Sequence, residues 1–315
     1  MCDLTDPIFT DENEARNHFE AIRWPEGPIC PHCGTVNQAT RMQGKSHRTG
    51  AYQCNSCRGA FTVTVGSVME SSHVPLNKWA LGFHLMAASK KGISAHQLHR
   101  MLGVTYKTAW FMAHRIREAM AEIDPPPLGG KDIVVEADET FHGPAKEHVF
   151  RNGKGWVQKS GAYNTRDKIV SLVERGGRAR SFRLDELNMR EVKKVLDANV
   201  DPATTLNTDE ARMYKTIGKT YAKHESVNHS KKEYGRGSVT TNTVEGFFSI
   251  FKRGMVGTYQ HCHERHLHRY LAEFDFRYSN RTALGVSDRL RAVRAIKGAE
   301  GKRLTYNQSS ATRAA

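Results

Sequence analysis

Three carboxylates, Asp138, Asp209 and Glu245, stand at positions suited to phosphoryl transfer. Asp138 ends an apolar run, Ile133-Val134-Val135, that reads as a strand, and Asp209 ends a second strand-like run from Thr204 to Thr208. Glu245 opens an amphipathic helix, with 35 residues between it and Asp209. Carboxylates drawn together from strand ends and a helix can hold two divalent cations about 4 Å apart, the arrangement used for in-line displacement at a phosphodiester. Each also has a structural reading. Asp209 could cap a helix beginning at Glu210, and Asn242 to Glu245 fits a capping box. Glu136 or Glu139 could be the ligand in place of Asp138. The last of these elements favours a site. Val244, Phe247, Phe248, Phe251 and Met255 recur at helical spacing as a buried stripe, while Glu245 and Lys252, seven residues apart, project beside it. Lys252, assisted by Arg253, is then placed to hold a nucleic-acid phosphate next to the cations.

A second metal chemistry is carried by Cys30, Cys33, Cys54 and Cys57, two CxxC pairs separated by 20 residues. Four thiolates complete tetrahedral Zn²⁺ and leave no position for water, so this zinc is structural. Tyr52 before the second pair and Phe61 after it fit a zinc ribbon built from two hairpins. His32 reads as a knuckle residue. The group His261, Cys262, His263, His266 and His268 reads as a polar helical face near DNA in preference to a second zinc site.

The elements that must position these groups divide the chain at Asp124 to Gly130, where three prolines and two glycines make a linker. Before it, residues 10–23 read as a helix, the cysteine segment runs to about residue 70, and residues 76–88 and 94–120 read as helical. Ala95, Leu98 and Leu102 form one apolar face; after Gly103, Ala109, Met112, Ile116 and Met120 form the next. Two helices across such a turn match a helix-turn-helix that would show Lys107, Arg115 and Arg117 to DNA. Beyond the linker the predicted order is β-β-β-α-β-α-β followed by two helices, which matches a ribonuclease-H-like α/β domain. The expected organisation is multidomain α/β: helix and zinc ribbon over 1–73, helix-turn-helix over 74–123, linker over 124–131, catalytic domain over 132–286 and a basic tail over 287–315.

Across 315 residues the net charge is +14 and the pI about 9.6, which favours a polyanionic partner through counterion release. No apolar stretch approaches the ~20 residues needed to span a bilayer. The acidic N-terminus lacks the apolar core of a secretory signal. Cysteines in zinc-type pairs suit a reducing compartment, so the expected location is cytoplasmic, at the nucleoid.

With these residues in view, the sequence resembles the DDE transposases of bacterial insertion sequences, specifically the Merlin-like, ISXO2-like group with an N-terminal zinc ribbon. The resemblance runs from about Trp24 to Arg281. It rests on Cys30-Pro31-His32-Cys33-Gly34, Tyr52-Gln53-Cys54, Lys91-Gly92-Ile93-Ser94 and the stretch Leu102 to Trp110. It continues through Glu136-Ala137-Asp138-Glu139-Thr140, Thr208-Asp209-Glu210, Val227-Asn228-His229-Ser230, Asn242-Thr243-Val244-Glu245 and Phe251-Lys252-Arg253-Gly254. The resemblance implies that Asp138, Asp209 and Glu245 are the catalytic carboxylates, with Asn242 a rival at the third position. It also implies two Mg²⁺ ions (or Mn²⁺), cleavage at terminal inverted repeats, transfer of 3′ ends to target DNA, and at least a dimer in the synaptic complex. The competing functions are another ribonuclease-H-like nuclease and a catalytically silent, domesticated DNA-binding regulator.

Overall fold

The computed structural model describes residues 3–44, 46–143, 148–151, 155–158, 166–231, 233 and 235–305. The chain forms two compact units, Met1–Glu122 with Gly285–Ala315, and Ile123–Leu284.

In the first unit, helix α1 (Glu12–Arg23) begins where the Asp11 carboxylate accepts from the amides of Asn13 and Glu14. Its Ala15 and Phe19 are buried. Strands β1 (Ala39–Arg41), β2 (Tyr52–Cys54) and β3 (Ala60–Phe61) form an antiparallel sheet in that order. Trp24 packs edge-on against both Tyr52 and Phe61, with ring centroids 5.6 Å apart in each pair. Helices α2 (Leu76–Ala88), α3 (Ala95–Leu102) and α4 (Tyr106–Met120) follow. Ser94 caps α3, Gly103 ends it at φ 59°, and Thr105 caps α4. A left-handed residue at a helix C-terminus favours glycine, which has no Cβ to clash. Leu98, Leu102, Ala109, Met112, Ile116 and Met120 are all buried, as their spacing predicts.

In the second unit, strand β4 (Val134–His142) is central. A separate hairpin, β5 (His148–Arg151) with β6 (Gly155–Gln158), occupies part of the polar stretch after it; residues 144–147, 152–154 and 159–165 lie outside the described residues. Then come β7 (Asp167–Glu174), β8 (Ala179–Leu184), α5 (Met189–Asn199), β9 (Thr205–Thr208), α6 (Arg212–Ile217), β10 (Lys223–Ser226), α7 (Asn242–Gly254) and α8 (Glu264–Ser279). The five-stranded sheet has the order β10-β9-β4-β7-β8. β4, β7 and β8 pair antiparallel, and β4, β9 and β10 pair parallel. This mixed sheet with helices on both faces is consistent with the expected ribonuclease-H-like fold.

Strand alternation sorts the side chains between two cores. Val135, Ala137, Val170 and Leu172 pack with α5 and α6 through Val192, Leu196, Tyr214 and Ile217. Ile169 and Val173 pack with the α7 stripe of Val244, Phe247, Phe248, Phe251 and Met255, and with α8 through Leu267, Leu271 and Phe274.

Four local expectations change. β4 runs four residues past Asp138, because its antiparallel ladder with β7 continues to His142↔Asp167. β10 stops at Ser226, three residues short of its predicted end, and His229 opens a 3₁₀ turn. The stretch read as a linker is docked: Leu128 is fully buried and its backbone bonds Asn199 and Asp201, the Pro126 and Pro127 carbonyls accept from Arg178 and Arg180, and the Gly130 amide donates to Thr204. The stretch read as a basic tail contains helix α9 (Asp288–Lys297), which belongs to the first unit. There Arg291 donates to the Ala87 carbonyl at 3.0 Å. A Cβ on Gly298 would lie 2.2 Å from the Ala119 carbonyl oxygen, so α4 and the end of α9 approach at backbone distance. Residues 306–315 lie outside the described residues. Among the described residues, no helix is long and apolar enough to cross a membrane.

Candidate active site

The site of the first unit is the cysteine quartet. The knuckle turns close with amide bonds from Gly34 to the Cys30 carbonyl and from Arg58 to the Cys54 carbonyl, at 2.9 and 3.0 Å. Gly34 and Arg58 both take positive φ, 77° and 63°, which turns each CxxC pair back on itself. The Cys30 and Cys57 sulfurs lie 3.6 Å apart, as do those of Cys33 and Cys54. All four ligand atoms fall within 4.8 Å of one another. Four soft sulfur donors at that spacing fit one tetrahedral Zn²⁺.

In the second unit the acidic site is built by strand register. β4 pairs with β9 up to Glu136↔Asn207. Counting two residues onward sets Asp138 level with Asp209, just past the end of β9. Here β4 outruns its neighbour and the sheet opens. Alternation turns Asp138 toward the α7 face, the side shared with Glu136, and turns Glu139 to the other face, where it accepts from the Tyr214 hydroxyl at 2.7 Å. Asp209 accepts from the Ala211 amide at 3.0 Å. It shapes the turn ahead of α6, whose N-cap is Ala211, so it does not cap a helix beginning at Glu210. Glu245, in the first turn of α7, accepts from the Thr241 hydroxyl at 2.8 Å and lies 3.5 Å from Nε2 of His229. Asn242 is the first residue of that helix and Thr241 its N-cap, one residue earlier than a capping box requires.

The electrostatics tie these groups into one neighbourhood. Burial, followed by the charges of Asp209 and Glu245, pushes the Asp138 carboxyl up to about 7, against the opposing effects of the Glu139 amide and His229. Burial, with Asp209 and Asp138 nearby, also pushes Glu139 up to about 7. Asp209 is raised for the same first reason. Carboxyls buried beside like charges hold protons until a cation replaces them. Hard oxygen donors of this kind fit Mg²⁺ or Mn²⁺. The clustering is looser than that of the thiols: among the described residues, only the cysteine quartet brings at least three candidate ligand atoms within 4.8 Å of one another.

Two neighbours received no role from the sequence. Glu210 accepts from the His229 and Ser230 amides and the Ser230 hydroxyl, at 2.9, 3.0 and 2.6 Å. The Ser230 and His229 bonds hold it down to about 2. Glu210 thereby fixes the turn that brings His229 to Glu245. The available signal was Val227-Asn228-His229-Ser230, a motif without an assigned chemistry.

The basic residues separate. Lys252 is exposed, with its ammonium 5.9 Å from the Phe248 ring centroid. Arg253 folds onto its own helix, bonding the Ser249 carbonyl and hydroxyl at 3.1 and 2.6 Å. Lys107 is exposed at the start of α4. Arg115 and Arg117 are buried. Arg115 donates to the carbonyls of Leu304 and Glu70 at 3.2 and 3.0 Å and stacks 4.6 Å from the centre of the Phe111 ring. Both arginines face the interior of their unit, which corrects the expectation that they reach DNA. His266 lies between Arg265 and Arg269, 3.2 and 2.8 Å away. Burial and then those cations push it down to about 4, a poor setting for another cation.

A family model described as an ISXO2-like transposase domain matches residues 127–279, and one described as a transposase zinc-ribbon domain matches residues 10–59. The chain belongs to the ISXO2-like transposase family. A relative in Halobacterium salinarum, named as an uncharacterized protein in transposable element ISH50, is 28% identical over 254 residues. That match covers 78% of this chain and 83% of the relative. In this ISXO2-like transposase the zinc-ribbon match contains all four cysteines. The longer match contains Asp138, Asp209, Glu245 and Lys252, and helices α2–α4 lie outside both.

Proposed function

We propose that this chain is the transposase of an insertion sequence: it binds terminal inverted repeats, cleaves the phosphodiesters at the transposon ends and transfers the freed 3′ ends to target DNA. The reading is carried by Asp138 on the central strand, Asp209 level with it past the end of β9, and Glu245 in the first turn of α7: the first two are half-buried, Glu245 is exposed, and the charges of Asp209 and Glu245 both raise Asp138. These three would hold two Mg²⁺ or Mn²⁺ ions, which when bound would activate a water and stabilise the departing 3′-oxygen. Asp138 would hold them from the central strand, Asp209 from the end of the neighbouring strand and Glu245 from the first turn of α7. Glu245 is steadied by Thr241 and His229. Lys252, two turns along the same helix, holds a phosphate of the bound end, with Arg253 beside it. In the joining step the free 3′-hydroxyl attacks a target phosphorus, and the target's own 3′-oxygen leaves on the opposite side. No covalent protein intermediate is needed.

End recognition falls to the zinc ribbon and to α3–α4, read as a helix-turn-helix with Lys107 at the DNA. Pairing two ends requires at least a dimer in the synaptic complex, and the work is done at the nucleoid. The test is a labelled inverted-repeat duplex incubated with protein, Mn²⁺ and a target plasmid. The wild type should nick the end and join it to the plasmid, whereas D138A, D209A and E245A should bind the duplex and do neither. Full cleavage by D138A would refute the site assignment. Cleavage without joining would identify a nuclease instead, and binding alone a silent regulator.

A further inference from the structure

We propose that Glu136 is a positioning residue that fixes the distance between Asp138 and Glu245 by latching strand β4 onto the first turn of α7; this rests on the transposase reading above. Glu136 is fully buried, two residues before Asp138 on the same face of β4. Helix α7 receives no side-chain hydrogen bond from its own N-cap, Thr241. Glu136 supplies what the N-cap does not. Its Oε2 accepts from the amides of Thr243 and Val244 at 2.7 and 3.0 Å, and its Oε1 accepts from the Thr243 hydroxyl at 2.8 Å. The first-turn amides of a helix lack intrahelical partners and carry its positive dipole end, so a carboxylate is the stronger partner there.

Arg175, in the β7–β8 turn, completes the latch. Its Nε and a terminal nitrogen reach Glu136 Oε1 at 3.1 and 2.6 Å. The same guanidinium donates to the Ser238 carbonyl at 2.8 Å and to the Thr240 hydroxyl at 3.1 Å, holding the segment that enters α7. The buried charge is therefore paired and its oxygens are hydrogen-bonded, the condition under which a buried carboxylate persists. The path from Asp138 to Glu245 is short: two residues of strand, one carboxylate, and one residue from Val244. The apolar stripe of α7 attaches the helix to the sheet without direction. The latch sets its register along the strand, and with it the spacing of two proposed cation ligands. Partners that orient ligands in this way typically change cation affinity 10–100-fold when lost.

The test compares E136Q with wild type in the end-cleavage assay across a Mg²⁺ titration. The glutamine keeps the size but turns an NH₂ toward donors. The expected result is a Mg²⁺ midpoint raised about tenfold, partial rescue by Mn²⁺, and unchanged affinity for the repeat duplex without cation. T243V removes only the Oγ1 bond and should shift the midpoint in the same direction by less; it decides the matter alone if E136Q does not fold. L196A, in the core on the other sheet face, is the control for instability and should lower the melting temperature without moving the midpoint. Overturning results are a midpoint unmoved in E136Q and T243V, or one that moves equally in L196A. If D138A retains cleavage, the transposase site itself fails; if D138A is inactive and the E136Q and T243V midpoints do not move, only the latch fails.

Discussion

Replacing Asp138 with asparagine should stabilise the protein at the pH where the wild type would work. In the unfolded chain an aspartate ionises near 3.8, whereas folded Asp138 keeps its proton up to about 7. Between those values the folded state binds more protons than the unfolded state, so stability falls as pH rises through the window and stays low above it. At ~1.36 kcal/mol per pH unit the full displacement is worth about 4 kcal/mol. Glu139, also raised to about 7, is coupled to Asp138, so the pair titrates jointly. With solvent access at the sheet opening, about 2 kcal/mol is the expected net penalty at pH 8. The substituted amide is neutral at every pH and escapes it. For a unit of this size each kcal/mol moves the melting temperature by roughly 2–4 °C.

Scanning calorimetry of zinc-loaded protein without added Mg²⁺ or Mn²⁺ should therefore show D138N melting about 4–8 °C above wild type at pH 8. The gap should shrink by more than half at pH 5, where the wild-type carboxyl is protonated. Adding Mg²⁺ at pH 8 should raise the wild-type melting temperature and leave D138N nearly unmoved, because cation binding stabilises only the state that binds it. A D138N protein that melts at or below wild type at both pH values would show that Asp138 carries no buried-charge penalty. The acidic neighbourhood would then not be held ready for cations.

Other expectations follow from the same contacts. Metal analysis of the purified chain should find one zinc, and C54S should lose it; the ribbon sheet should then unfold and end binding fall, as seen by amide exchange and gel shift. R115A should destabilise the first unit by about 2–4 kcal/mol, since it strands the buried carbonyls of Leu304 and Glu70. K107A should leave the melting temperature unchanged and weaken duplex binding, lowering the slope of log affinity against log salt by about one. The converse pattern, with R115A stable and weak in DNA binding, would return Arg115 to the DNA face.

What sequence reading reaches, and where it stops, follows from the range of the interactions involved. Side chains repeating at helical or strand spacing report a local face, so the α7 stripe, the β7 and β8 strands and the helices either side of Gly103 are legible. The cysteine spacing is equally local. Helix α9 escapes such reading because its buried face is built from Ala292 and Ala295, with Ile296 its one large apolar residue and Arg291 buried beside them, while Arg289, Arg291, Arg294 and Lys297 dominate its composition. Without α9 and the residues after it, α4 shows one apolar stripe and two arginines to spare. With them, α4 is covered further round, and Arg115 finds its acceptor at Leu304, 189 residues away. The latch at Glu136 has the same character, spanning 107 residues to Thr243. From the sequence, Glu136, Asp138 and Glu139 are interchangeable candidates within one motif. Only the pairing of β4 with its neighbours assigns one to the helix cap, one to the sheet opening and one to Tyr214. Functional chemistry here depends on which side of one strand a carboxylate faces, and that is settled by partners the strand itself does not encode.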